Sequence, residues 1–179
     1  MPLIWDFETA FSGAQCDALV ALMEASASAP GPVYSREGAG TVDPTVRNVA
    51  TALKQRSDET GWIFERLDAL FAQAGEALGV GVGPLSEPVQ LLRYGPGGHF
   101  DLWHSDAGYD VQERRRISVS VELSETGDYE GGVLEIVPDT VGRPRSLPRG
   151  GARFFRSAAL HRLTRVSSGT RYALVAWTG

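Results

Sequence analysis

Three side chains combine the types and the spacing that a metal site needs. His104 and Asp106 form a His-x-Asp triplet at the end of a predicted strand, and His161 lies on another predicted strand. Residues two apart in an extended chain point to the same side, so both side chains of the triplet can reach one ion. Two imidazoles and one carboxylate form the facial triad of non-haem Fe(II) sites, which leaves open positions for a cosubstrate and dioxygen. A His-x-Asp triplet alone is more often a surface pair, so this hypothesis depends on the surrounding residues.

An arginine ten residues past His161 is a candidate contact for an anion. Alternation along residues 170–177 places Arg171 on one face of a predicted strand, together with Ala173, Val175 and Trp177. Inside a barrel its charge would be buried and unpaired, which is costly, and a ligand carboxylate would pair with the guanidinium in a bidentate way. Tyr94 could donate its hydroxyl to the same carboxylate. The alternatives are a surface arginine on an edge strand and ordinary core packing for Tyr94.

Other polar residues near these candidates have two interpretations. Ser118, Ser120 and Glu122 alternate with apolar residues along one predicted strand, so they either line an interior beside a ligand or face solvent. His99, the third histidine of the chain, lies outside the spacing of the triad, and we expect it to be structural.

Two helices are predicted in the first half of the chain. The first covers about residues 12–27 and begins at a capping box formed by Ser12 and Gln15. The second covers about residues 59–78, where apolar residues recur at helical spacing, and it ends at Gly79. These helices are expected to support the part of the chain that carries the candidate site.

From Pro84 onward the pattern changes to short alternating runs between glycine and proline clusters. The predicted strands cover residues 88–94, 99–104, 116–123, 132–137, 152–155, 160–164 and 170–177. Strands this short and frequent predict an all-β sandwich or barrel. We expect one domain over residues 1–179, with a helical support region at 1–83 and a β core with the metal site at 84–179. Residues 35–45 and 107–114 are predicted to be mobile loops at the mouth of the site.

The composition is that of an ordinary globular chain of 179 residues, with 42% hydrophobic and 22% charged residues. The net charge of -5, with the excess of acidic residues in residues 1–90, argues against a nucleic-acid partner, which would favour a basic face. The single cysteine, Cys16, excludes an intramolecular disulfide and a cysteine-rich zinc site. No apolar run is long enough for a membrane helix and no signal peptide is visible, so we expect a cytoplasmic protein without a membrane partner.

Five sequence blocks follow one another in the order and spacing of a known family. They are residues 90–100 before the metal motif, the triplet 104–106, the serine-containing strand 115–124, the Glu-Gly-Gly block 129–136, and residues 161–177. In these blocks the chain resembles the Fe(II)- and 2-oxoglutarate-dependent dioxygenases of the prolyl 4-hydroxylase-like branch, in particular the PKHD-type hydroxylases. The resemblance covers residues 88–178, whereas the N-terminal 80 residues match only loosely.

The resemblance implies a fold, a set of site residues and a set of cosubstrates. The implied fold is mainly β, a double-stranded β-helix (a cupin-like jelly roll) supported by about two N-terminal α-helices. His104, Asp106 and His161 would bind Fe(II), and Arg171 would pair with the distal carboxylate of 2-oxoglutarate with help from Tyr94. Dioxygen is the other cosubstrate, and L-ascorbate is an optional reductant.

The implied activity is that of an oxidoreductase that hydroxylates an unactivated C–H bond. We expect the substrate to be a prolyl residue in a peptide or protein. The alternative substrate is a free amino acid or a small natural product. An alternative of another class is a jelly-roll module that binds a metal or a small acid without catalysis; a module of this kind would not need a buried Arg171 beside Tyr94. The oligomeric state is not predicted.

Overall fold

The computed structural model describes residues 2–35, 38–108, 112, 114–137 and 146–179. Within these residues the chain forms two α-helices and fifteen β-strands. The helices are α1, Gly13–Ala25, and α2, Gly61–Leu78. The strands are β1, Ile4–Phe7; β2, Ala29–Pro30; β3, Val33–Ser35; β4, Gly38–Thr41; β5, Arg47–Asn48; β6, Ala50–Lys54; β7, Val89–Tyr94; β8, His99–His104; β9, Ile117–Glu122; β10, Tyr129–Gly131; β11, Leu134–Ile136; β12, Ala152–Arg156; β13, His161–Leu163; β14, Val166–Gly169; and β15, Arg171–Thr178. The expected mainly β architecture with two helices is confirmed.

The strands form two principal antiparallel sheets. The larger sheet has the order β1-β12-β9-β15-β7-β6-β2, and the smaller sheet has the order β11-β13-β8-β5. A small apolar cluster joins their facing sides; it contains Leu92, Tyr94 and Ala173 from the larger sheet and Leu163 from the smaller. The ladders β10-β14 and β3-β4 complete the described strands. Neighbouring strands come from distant parts of the sequence, so the interior between the sheets collects residues that lie far apart in the chain.

The N-terminal region contributes strands as well as helices, which differs from the expected helical support region at 1–83. β1 pairs with β12, β6 pairs with β7, and β5 pairs with β8. Several of these strands have only two to four residues, which is too short for alternation to distinguish them from loops. The single-domain organisation stays a prediction, and this pairing of N-terminal and C-terminal strands supports it.

The helices cover the outer face of the larger sheet. α1 begins at the predicted capping box, in which Ser12 and Gln15 exchange side-chain and backbone hydrogen bonds. α2 ends at Gly79, whose φ of 64° is the left-handed conformation that glycine adopts without strain. The apolar side of α2 packs on the sheet, where Phe71 meets Phe154 edge to face at 5.1 Å between ring centroids. In the described part of the chain, neither helix has the length and apolarity that crossing a membrane requires.

The two predicted loops lie only partly in the described residues. Residues 35–45 contain the end of β3 and all of β4, which pair as a hairpin, while residues 36 and 37 lie outside the described residues. Of residues 107–114, positions 109–111 and 113 lie outside the described residues. The mobility of both segments therefore stays a prediction.

The packing of α2 on the sheet generates a prediction about stability. Phe154 is fully buried and contacts three aromatic rings, those of Trp5, Phe7 and Phe71. Phe154→Ala should lower the free energy of unfolding by about 3–5 kcal/mol, because it removes buried surface and leaves a cavity. The matched control is Leu53→Ala, since Leu53 is 60% exposed on the same sheet and should change stability by less than about 0.5 kcal/mol. Urea unfolding measures both, and equal losses would contradict this view of the core.

Candidate active site

The three predicted metal ligands lie together between the two sheets. One ligand atom from each of His104, Asp106 and His161 lies within 4.8 Å of the other two. The two histidines come together because they are directly opposite each other in the antiparallel pair of β8 and β13. Their ring centroids are 4.3 Å apart, and His161 Nε2 lies 3.5 Å from Asp106 Oδ1. The spacing of these three atoms fits a single small cation.

Each imidazole is oriented by a backbone carbonyl two residues earlier in the chain. His104 Nδ1 lies 2.8 Å from the carbonyl oxygen of Leu102, and His161 Nδ1 lies 3.0 Å from that of Ala159. A proton on each Nδ1 donates to its carbonyl, so both Nε2 lone pairs are available to an ion. Phe100 stacks on His104 at 3.7 Å and Phe155 meets His161 at 4.8 Å, which keeps the rings in place and limits access of water.

Asp106 is positioned by a loop contact and not by the strand alternation that the sequence suggested. β8 ends at His104, and the backbone N–H of Asp106 donates to the carbonyl of Ser157 at 2.9 Å. The hydroxyl of Ser118 donates to Asp106 Oδ2 at 2.7 Å and lies 2.9 Å from the hydroxyl of Ser157. One carboxylate oxygen is therefore held by the protein, while Oδ1 faces the histidines.

The ionisation of the three groups suits a cation site. Burial, together with the neighbouring His161, lowers the pKa of His104 to about 4, so this ring is neutral at pH 7 as a ligand must be. Burial acts to raise the pKa of Asp106, but His161, His104 and the Ser118 hydrogen bond together hold it below its ordinary value. Burial acts to lower the pKa of His161, but the Asp106 carboxylate raises it above its ordinary value. A cation beside Asp106 would act in the opposite direction and favour the neutral imidazole of His161, whose Nε2 could then be a ligand.

The three ligands line a cavity of about 560 Å³ that also contains Arg171 and Tyr94. These two residues are opposite each other in the β7–β15 pair, and the Arg171 Cζ lies 5.8 Å from the centre of the Tyr94 ring. Both side chains are about 96% buried, since each has 4% of its surface exposed. Burial raises the pKa of Tyr94, so its hydroxyl stays protonated and can donate a hydrogen bond. The structure thus brings all five predicted site residues to one cavity, and their roles there stay predictions.

The expectation that Arg171 has no partner within the protein is wrong. Its Nε and Nη2 atoms both lie 3.0 Å from Glu122 Oε2. The reason is that Glu122 belongs to the alternating polar set on β9, which faces the interior and not solvent. The sequence analysis left these two orientations open and did not pair Glu122 with Arg171.

Ser157 and Gly132 also support the site, although the sequence analysis assigned neither of them a place beside the ligands or Arg171. The carbonyl of Ser157 accepts a hydrogen bond from the backbone N–H of Asp106. The sequence indicates this residue only through its position four residues before His161. Gly132 has a φ of 57°, and a Cβ there would approach the Arg171 Cδ to 3.2 Å. The Gly-Gly pair of the fourth block therefore lets the chain turn close to the arginine. His99 is buried and lies outside the cluster of ligands, and its Nδ1 is 2.9 Å from Asp101 Oδ1.

Sequence comparison identifies relatives of the part of the chain that carries this cavity. Residues 89–179 match the model of the 2OG-Fe(II) oxygenase superfamily. A PKHD-type hydroxylase of Hyphomonas neptunium is 39% identical over 92 residues, which are 48% of this chain and 40% of that protein. The chain thus spans less than half the length of this curated relative.

Solved structures show the same fold over nearly the whole chain. A prolyl-4-hydroxylase of Pseudomonas putida superposes with a TM-score of 0.74 at 19% identity, covering 98% of this chain and 91% of that one. A prolyl hydroxylase of Trichoplax adhaerens, in complex with a peptide fragment of the hypoxia inducible factor oxygen degradation domain, has a TM-score of 0.74 at 16% identity, covering 98% and 83%. The expected jelly-roll fold is confirmed.

The cluster of ligands predicts which histidines an ion needs. His161→Ala should weaken binding of Mn²⁺, used as a redox-stable probe, by more than about 100-fold, because loss of a ligand should cost at least as much as loss of a supporting residue. His99→Ala is the matched control and should leave the affinity unchanged, although it loses a buried contact. Calorimetric titration measures both, and normal Mn²⁺ affinity in His161→Ala would exclude His161 as a ligand.

The hydrogen bond to Asp106 predicts a supporting role for one serine. Ser118→Ala should weaken Mn²⁺ binding by about 10–100-fold, because it releases the carboxylate oxygen that Ser118 holds. Ser120→Ala is the matched control, since Ser120 lies two residues further on the same strand and also lines the cavity. The same titration applies, and equal affinities for the two variants would show that the Ser118 hydrogen bond does not position the ligand.

Proposed function

Because the chain belongs to the 2OG-Fe(II) oxygenase superfamily, we propose that it is an Fe(II)- and 2-oxoglutarate-dependent dioxygenase that hydroxylates an unactivated C–H bond. The observation that carries this proposal is the geometry of His104, Asp106 and His161. Two imidazole nitrogens and one carboxylate oxygen, from groups that each form a hydrogen bond through another atom, point into one cavity. This donor set fits Fe(II) and leaves coordination positions for other ligands.

The protein's own residues have three tasks in this proposal. The triad holds the ion, and Phe100 and Phe155 shield the imidazoles from water. An Fe(II) ion in this place supplies the redox chemistry by which dioxygen and 2-oxoglutarate convert a C–H bond to an alcohol. Arg171 and Tyr94 are the proposed contacts of the distal carboxylate of 2-oxoglutarate, because both are buried in the same cavity as the triad. L-ascorbate as a reductant and a cytoplasmic location stay predictions.

The proposed substrate is a prolyl residue in a peptide or protein. The rim of the cavity supports this, because Tyr34 is 56% exposed and Leu102 is 51% exposed there. Large apolar side chains at the mouth of a cavity suit an apolar ring carried on a longer chain. The two structural neighbours named as prolyl hydroxylases, one of them bound to a peptide, also support a peptide substrate.

The proposed activity can be tested with paired peptide pools. One pool contains peptides with a central proline, and the other contains the same peptides with alanine in its place. The Fe²⁺-loaded protein should form succinate from 2-oxoglutarate and add the mass of one oxygen atom to members of the proline pool only. His161→Ala, which lacks a ligand, should do neither.

Each other outcome identifies a different alternative. Oxygen incorporation into free amino acids or small natural products, and not into peptides, would replace the proposed substrate but retain the dioxygenase. A protein that binds the ion and forms no succinate with any pool would contradict catalysis and leave a jelly-roll module that only binds. Mass spectrometry and a succinate assay distinguish these cases.

A further inference from the structure

The guanidinium of Arg171 already forms an ion pair with a buried carboxylate of the protein, that of Glu122. Both Nε and Nη2 of Arg171 lie 3.0 Å from one oxygen of Glu122, Oε2. The hydroxyl of Tyr129 donates to the same oxygen at 3.1 Å, and the backbone N–H of Ser124 donates to Oε1 at 3.3 Å. Both oxygens of Glu122 are therefore held by donors of the protein.

The pair lies at the edge of the proposed cosubstrate site, which Arg171 lines, and it is shielded from solvent. Glu122 has 8% of its surface exposed and Arg171 has 4%. Arg171 lines the cavity of the triad, and together with Glu122 and Tyr129 it also lines an adjoining cavity of about 180 Å³. Glu122 on β9 is opposite Ala173 on β15. Ala173 follows Arg171 by two residues, so the two lie on the same face of β15. The backbone thus holds the carboxylate beside the guanidinium.

We propose that Glu122 determines the affinity and the specificity of the cosubstrate site, because its carboxylate already pairs with the guanidinium of Arg171, which is the proposed contact of the distal carboxylate of a 2-oxo diacid. The proposal rests on the function proposed above and deepens it. An incoming distal carboxylate meets an arginine whose charge is already balanced. It also approaches a second buried carboxylate of like charge, which disfavours its binding.

This arrangement reduces the preference for a diacid over a monoacid. An arginine that lacked an internal partner would favour a ligand carboxylate by about 30- to several thousand-fold, the range typical of buried, hydrogen-bonded charge pairs. With Glu122 in place, the charge of Arg171 is already balanced, so a ligand carboxylate gains less from the guanidinium. We therefore expect the wild-type protein to prefer 2-oxoglutarate over 2-oxopentanoate, which has a methyl group in place of the distal carboxylate, by less than about 30-fold.

The test is calorimetric titration of the Mn²⁺-loaded protein with these two acids, which needs no turnover. Glu122→Gln keeps the shape and an acceptor oxygen for Tyr129 and Arg171 but removes the negative charge. In this variant 2-oxoglutarate should bind about tenfold or more tightly than in the wild type, with no change for 2-oxopentanoate. Glu130→Gln is the matched control, because it removes the same charge from an exposed position on β10 and should change neither affinity.

The outcomes separate this inference from the proposed function. A wild-type preference for 2-oxoglutarate above about 30-fold would overturn the inference and leave the function standing, and this measurement needs no variant that might fail to fold. Unchanged or weaker binding of 2-oxoglutarate to a folded Glu122→Gln protein would also overturn it and assign the pair a structural role. If Mn²⁺ binds but neither acid does, the proposed function fails, and the inference fails with it.

Discussion

The pairing of β8 with β13 is the interaction on which the site depends. This ladder places His104 directly opposite His161, so two residues that are distant in sequence become neighbours through backbone hydrogen bonds alone. The register shifts between His161 and Leu163, directly beside the His104–His161 pair. A slip by one residue would turn one imidazole to the other side of the sheet and destroy the cluster. The remaining contacts of the site orient the ligands that this register brings together: backbone carbonyls hold the two imidazoles, and Ser118 holds Asp106.

The larger sheet divides the chain into two chemically different environments. Its outer face carries the apolar residues that pack on α1 and α2, while its inner face toward the smaller sheet carries polar and charged residues among apolar ones. Buried charges on this inner side are paired within the protein, as in Arg153 with Asp6 and Arg171 with Glu122. Such pairing offsets the cost of removing each charge from water. A ligand carboxylate that approaches Arg171 therefore meets a guanidinium that already has a partner in the protein.

Local signals in the sequence predicted the parts of the fold that depend on neighbours in the chain. The capping box at Ser12, the left-handed Gly79 and the alternation of the C-terminal strands were all confirmed. The triad was found because the chain has only three histidines and one of them forms a His-x-Asp triplet with Asp106. Glu122 was missed as a partner of Arg171, because strand alternation predicts which residues of one strand lie on the same face but not which other strand lies beside it. The N-terminal strands and the Ser157 contact likewise depend on pairing between distant segments, for which the sequence has no local signal.

The central claim is that one ion binds between the two sheets through three specific atoms. Its most direct test is X-ray diffraction from crystals grown with Mn²⁺, with anomalous differences recorded at the manganese absorption edge. The account predicts one strong anomalous peak within bonding distance of His104 Nε2, His161 Nε2 and a carboxylate oxygen of Asp106, with the Ser118 hydroxyl still on the other oxygen. A peak at other residues, or no peak between the sheets at an Mn²⁺ concentration that saturates the protein in solution, would contradict it.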